Sequence, residues 1–183
     1  EGISRMAQRT AVVLPYPAKN IVVIGAVTDV AVQTVVQAFR RADCHVAVCD
    51  HHVSEGNRLS QATGSRFYPC CVEDSAEFRR MAERIEHNLT KTDVWVACGL
   101  DSIMAISEIA DLLQDKNIIY VYSDRLPDID DNRFHDANSI TLTSDQPDDD
   151  SLSALSHLCL FLTMPGSESL RNQNISIANR HIN

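Results

Sequence analysis

The segment NIVVIGAVTDVAV at residues 20–32 carries the most chemical content in the chain. It reads as a buried apolar strand, a tight turn at Gly25 and the start of a helix. Such a unit offers helix N-terminal amides on which phosphates rest, and turn glycines let a pyrophosphate approach the backbone. Here the turn keeps one glycine, and Asp29 stands at the helix entrance. A carboxylate at that position can cap the helix and so occupy the donors a phosphate needs. It also repels the phosphate: two unit charges ~4 Å apart cost about 4 kcal/mol at an effective dielectric near 20. Half of that still lowers affinity roughly tenfold or more. The unit has the shape of a nucleotide site and the wrong charge for one.

The remaining reactive side chains point to no second chemistry. Six cysteines are present: Cys44, Cys49, Cys70, Cys71, Cys98 and Cys159. No CxxC pair occurs, and Cys44, Cys49, Cys98 and Cys159 lie among apolar neighbours, as buried reduced thiols do. A reducing, cytoplasmic setting is expected. Adjacent Cys70 and Cys71 fall short of the four ligands of a structural zinc site, so no metal site is expected. Asp128, Asp130 and Asp131 lack the spacing and glycine of a calcium-binding EF-hand loop. The net charge of -9 argues against a nucleic-acid partner. No apolar run reaches the length of a membrane span, and Glu1–Arg9 lacks the apolar stretch of a secretory signal, so no membrane partner is expected.

These residues must be positioned by a regular alternation of elements. The 183 residues suit a single domain, here residues 20–183 after an N-terminal extension over 1–19 that includes an apolar run at Thr10–Leu14. Strands are expected at Ile21–Ile24, His45–Cys49, Arg66–Cys70, Val94–Ala97, Asn117–Tyr122 and Asn174–Ala178, from short apolar runs bounded by turn residues. Helices are expected at Asp29–Arg41, Ser54–Thr63, Ser75–Leu89, Ile103–Leu113 and Ser151–Met164. Residues 124–150 read as an acidic loop, with room for one more strand at Ser139–Leu142. Alternation of this kind, with right-handed crossovers, gives a doubly wound parallel sheet: a Rossmann-like, three-layer α/β/α domain of about six strands.

The order and spacing of these pieces resemble the short-chain dehydrogenase/reductase family over about residues 19–179. That family opens with TGxxxGxG, which falls on Ile24 to Ala31, where Gly25 alone survives. Asp50 matches the family's acid at the end of the second strand, which binds the adenosine ribose. Cys71 and Val72 stand at the family's Asp-Val pair, and Asp74 fits its helix-capping position. The family's NNAG corresponds to Val96-Ala97-Cys98-Gly99, which keeps the glycine and loses both asparagines. Ser123 matches the position of the catalytic Ser. The YxxxK pair that follows finds its best match at Ser151 and Leu155, which have neither an acid/base hydroxyl nor a charge to offer. His157 is a weak substitute base, and no residue stands for the catalytic Asn. A seventh strand and the substrate-binding region before it are expected to be missing.

The resemblance therefore implies a degenerate member. The expectation is no catalytic residue, no metal and no NAD(P) in this chain, with Gly25, Asp50 and Gly99 as vestigial cofactor positions. The helix over 151–164 is apolar nearly all round, which suggests an oligomer surface at Leu152, Leu155, Leu158, Cys159 and Leu162. The partner expected is a catalytically complete short-chain dehydrogenase subunit, in a hetero-oligomer acting on NAD(P) and, by the same resemblance, on acyl-thioesters of the 3-hydroxyacyl-CoA type. The alternative is a stand-alone module that binds a nucleotide or small ligand without turnover.

Overall fold

The computed structural model describes residues 19–123, 137–167 and 170–179. The Thr10–Leu14 run and Asp128, Asp130 and Asp131 lie outside them. Seven strands form one sheet: β1 (Asn20–Ile24), β2 (His45–Asp50), β3 (Arg66–Pro69), β4 (Val94–Cys98), β5 (Asn117–Ser123), β6 (Asn138–Leu142) and β7 (Asn174–Ile177). All neighbours pair in parallel, in the order β3-β2-β1-β4-β5-β6-β7. Among the described residues five helices cover it: α1 (Val30–Arg41), α2 (Val53–Thr63), α3 (Ser75–Asn88), α4 (Leu100–Glu108) and α5 (Asp149–Thr163).

Strand periodicity divides the core into two layers. Ile21 and Val23 face one side of the sheet, packing with Val32, Val35, Val36 and Phe39 of α1 and with Leu155, Cys159 and Leu162 of α5. Val22 and Ile24 face the other, with Trp95, Phe78 and Ile85 of α3, and Ile103 and Ile106 of α4. A central strand buried on both faces reads as a continuous apolar run, which is why NIVVI is legible as β1.

Among the described residues the sheet has seven strands where about six are expected: β6 takes up the room left at Ser139–Leu142 within the acidic stretch over 124–150, and Asn174–Ile177 is the seventh. Two helix boundaries are corrected. The first turn of α5 also belongs to that stretch, since Asp148 caps the helix by accepting from the Ser151 N–H (2.8 Å). The fourth helix starts at Leu100 rather than Ile103, and Ala110–Leu112 is a separate 3-10 turn.

A partly buried polar network links α3 to the residues just before β4 and β5. The Lys116 side chain is only 4% exposed; its Nζ donates to Glu86 Oε1 (2.5 Å) and to the Thr92 carbonyl (2.8 Å). Thr92 in turn donates through its hydroxyl to Glu86 and accepts from Trp95 Nε1 (2.8 Å). Burial opposes the charge on Glu86, but Lys116 and Thr92 outweigh it and hold the carboxyl below its ordinary range. Lys116→Met removes the donor from both acceptors and should cost about 1–3 kcal/mol in denaturant unfolding near pH 7. A carboxylate with a depressed folded pKa stabilises fully above its unfolded value and loses that contribution as pH falls through the folded one. The gap between wild type and variant should therefore narrow as unfolding is followed from pH 7 to below 4.5, the ordinary Glu value.

Candidate functional site

The turn between β1 and α1 is closed by internal bonds. Asp29 caps α1 as the sequence suggests, its Oδ1 accepting the Ala31 N–H (2.9 Å). The Asp29 N–H donates to the Ala26 carbonyl (2.9 Å). Val27 N–H donates across to Asp50 Oδ2 (3.0 Å), and Gln33 Nε2 donates to the Val27 carbonyl (2.9 Å). Gly25 is required by packing: a Cβ there would lie 2.8 Å from both Cys98 Cβ and Val32 Cγ2. Its presence needs no ligand to explain it.

Above this turn the sheet changes direction, with β2 on one side of β1 and β4 on the other. Ligands of open α/β sheets bind at such a point, beyond the carboxyl ends of the strands. A cleft of about 480 Å³ opens there, and the structure gathers Gly25, Asp50 and Gly99 around it. Its ionisable walls are the carboxylates Asp29, Asp50, Glu73 and Asp101, with the imidazole of His51 beside Asp50. No lysine or arginine lines it among the described residues. Toward β5 and β6 the space shrinks to a pocket of about 50 Å³ beside Ser123, walled by Ser144, Asp145 and Pro147 of the β6–α5 connection. Among the described residues the space beside Ser123 has room for little more than water.

Asp50 is 6% exposed and is the most connected group at the cleft. Besides the Val27 amide, its Oδ2 lies 2.8 Å from His52 Nδ1 and its Oδ1 lies 3.2 Å from His51 Nδ1. The two imidazoles face each other with centroids 4.0 Å apart. The sequence reading places Asp50 as a vestigial counterpart of a ribose-binding acid and does not join it with His51 and His52 into this Asp-His-His cluster. The signal was visible in principle, as two consecutive histidines directly after a strand-end aspartate.

The residues matched to YxxxK do not stand where the resemblance requires. That pair belongs to the helix following strand five, whereas Ser151 and Leu155 lie on α5, which follows β6 and packs on α1. Ser151 is buried, its hydroxyl donating to the Ala178 carbonyl (3.2 Å), and Leu155 is in the core. His157 points to solvent on the outer side of α5. No tyrosine follows Tyr122 anywhere in the sequence. Of the residues expected at an oligomer surface, Leu155, Cys159 and Leu162 are buried within the domain, so only Leu152 and Leu158 stand partly outward, beside the half-exposed Phe161.

The thiols are all free, and five of the six are buried. Burial pushes Cys98 well above its usual value and Cys159 up to about 12, so neither presents a thiolate. Only Cys71 is exposed, at the cleft where the family pattern places an acid. A thiol-reactive chromogenic disulfide should modify one group rapidly in the native protein and the other five only on unfolding. Cys71→Ser should abolish the rapid phase, and a second rapid thiol would contradict the burial described.

No protein-family profile matches the sequence, and no curated protein matches it either. Solved structures do. A short-chain dehydrogenase from Bacillus anthracis superposes with a TM-score of 0.70 at 11% identity, over 87% of this chain and 95% of that one. An enoyl-(acyl-carrier-protein) reductase from Anaplasma phagocytophilum, solved in complex with NAD, gives 0.68 at 11% identity, over 89% and 93%. A doubly substituted short-chain dehydrogenase/reductase from Serratia marcescens gives 0.67 at 12% identity, over 91% and 98%. At these identities the likeness is one of architecture: the chain has the Rossmann-like fold of the short-chain dehydrogenases/reductases.

Proposed function

We propose that this chain is a catalytically inactive, short-chain dehydrogenase/reductase-like subunit that stabilises an oligomer containing an active NAD(P)-dependent partner. The observation that carries the reading is the charge of the cleft. Four carboxylates line it, no cation offsets them among the described lining residues, and one of them sits on the α1 N-terminus. A pyrophosphate brought to this place would meet repulsion where a binding site offers free amides. The lack of any tyrosine after Tyr122 supports the same conclusion for proton transfer, since the fold's chemistry needs an acid/base beyond strand five. In this reading no catalytic residue is assigned and the chain works without a cofactor of its own.

A partner surface is supported by apolar side chains that the domain leaves uncovered. Phe161 is half-exposed on α5, and Leu100 and Met104 stand one helical turn apart on the outside of α4. Both helices are available to a second chain of the same architecture, in which an intact cleft would do the chemistry. An acyl-thioester substrate for that partner is in keeping with the likeness to an acyl-carrier-protein reductase.

Native mass spectrometry of the protein isolated from its own source tests the assignment. The expected result is a stoichiometric complex with a chain carrying complete TGxxxGxG and YxxxK motifs. The isolated chain should bind neither NAD nor NADP in calorimetry at millimolar concentrations, and should oxidise no reduced nicotinamide. A lone monomer or homodimer retaining a nucleotide would overturn the reading and favour a stand-alone nucleotide-binding module.

A further inference from the structure

We propose that Asp50, His51 and His52 bind one borderline divalent cation of the zinc type at the rim of the cleft. One ligand atom from each residue lies within 4.8 Å of the other two. Asp50 Oδ1 and His51 Nδ1 are 3.2 Å apart, close to the edge of about 3.3 Å that ~2.0 Å bonds give in a tetrahedral site. His52 Nδ1 lies 2.8 Å from the other carboxylate oxygen, Oδ2, and its 38% exposed side chain has room to turn toward an ion held by the other two.

The donor set selects the ion. Two imidazoles and one carboxylate suit zinc, nickel, cobalt or ferrous iron, whereas magnesium and calcium favour oxygen ligands throughout. An imidazole that carries its proton on Nε2 presents the Nδ1 lone pair to a metal. Asp50 is already oriented by the Val27 N–H, which removes part of the ordering cost. The field of Asp29, Glu73 and Asp101 across the cleft attracts a cation and is unopposed by any lysine or arginine of the described lining. His51 is 63% exposed on its side chain, which gives the ion a way in and leaves a coordination position open to water or to a molecule in the cleft.

The inference does not depend on the role proposed for the chain, and its test uses neither nucleotide nor partner. The full-length protein, stripped with a chelator, is titrated with Zn²⁺ in competition with a chromophoric chelator, and separately with Co²⁺ while the visible spectrum is recorded. One ion per chain is expected, with no thiolate-to-cobalt charge-transfer band. His51→Ala and His52→Ala should each weaken binding at least about tenfold, and the double variant should lose it. Both substitutions leave the bond from Val27 to Asp50 in place, and thermal melting followed by circular dichroism confirms that the variants fold. No stoichiometric binding would show that the cluster is a hydrogen-bonded cap only. Binding unchanged in the double variant, or a charge-transfer band lost in Cys71→Ser, would place the ion elsewhere; either result overturns the assignment.

Discussion

The structure turns on how closely the first turn approaches the fourth strand. At Gly25 the backbone lies so near Cys98 and the α1 side chain Val32 that a methyl group has no room. This close approach lets α1 lie flat on the sheet and bury Val32, Val35, Val36 and Phe39 in one layer. A helix lifted by one methyl group would open voids along that layer, and close-packed interiors tolerate little of that. The same approach sets where β1 and β4 part above the sheet, and so where the cleft opens. Fold and cleft share a single steric constraint, which holds whatever the cleft contains.

Having brought amides of the turn and of the first helical turn to the mouth of the cleft, the chain satisfies one of each from within. Asp29 takes the Ala31 N–H and Asp50 takes the Val27 N–H. These carboxylates occupy the electrostatic niche that an external anion would fill. The turn thus gains stability that does not wait for a ligand, and an anionic ligand would have to displace a covalently tethered competitor. Around Asp50 the consequence runs further, because a buried carboxylate has more lone pairs than one amide can satisfy. The two histidines supply the rest.

How much of this was legible depended on burial. The strands β1, β2 and β4 are buried along nearly their whole length and read as unbroken apolar runs. Toward the sheet edge, β6 (NSITL) alternates buried with half-buried residues and includes Asn138, whose side-chain carbonyl accepts the Gln173 N–H. Polar residues that serve a neighbouring strand look like loop in a linear sequence. Leaving Ser139–Leu142 outside the main alternation has a consequence for the site: α5 then reads as the helix after strand five, and Ser151 and Leu155 fall on a motif that belongs elsewhere. The cap at Asp29 was readable because capping is local. For the Asp-His-His cluster only the adjacency of the three residues is local; the direction of Asp50 is fixed by an amide 23 positions earlier in the chain.

Helix α5 shows why composition alone overstates an interface. Its sequence LSALSHLCLFL is apolar on most sides, yet the domain uses the residues at Leu155, Cys159 and Leu162 itself. They pack on α1 and on the sheet, where Asn117 also ties the strand to the helix by donating to the Leu162 carbonyl (3.0 Å). What remains outside is a narrower stripe centred on Phe161, interrupted by His157 and Ser153. Any chain docking on α5 would therefore meet a mixed surface rather than a continuous apolar band. Specificity on such a surface has to come from shape and from a few anchors, because only a minority of contacts carries most of the energy in interfaces of this kind. Phe161, large and already half-uncovered, is the side chain on this helix with the most surface to bury.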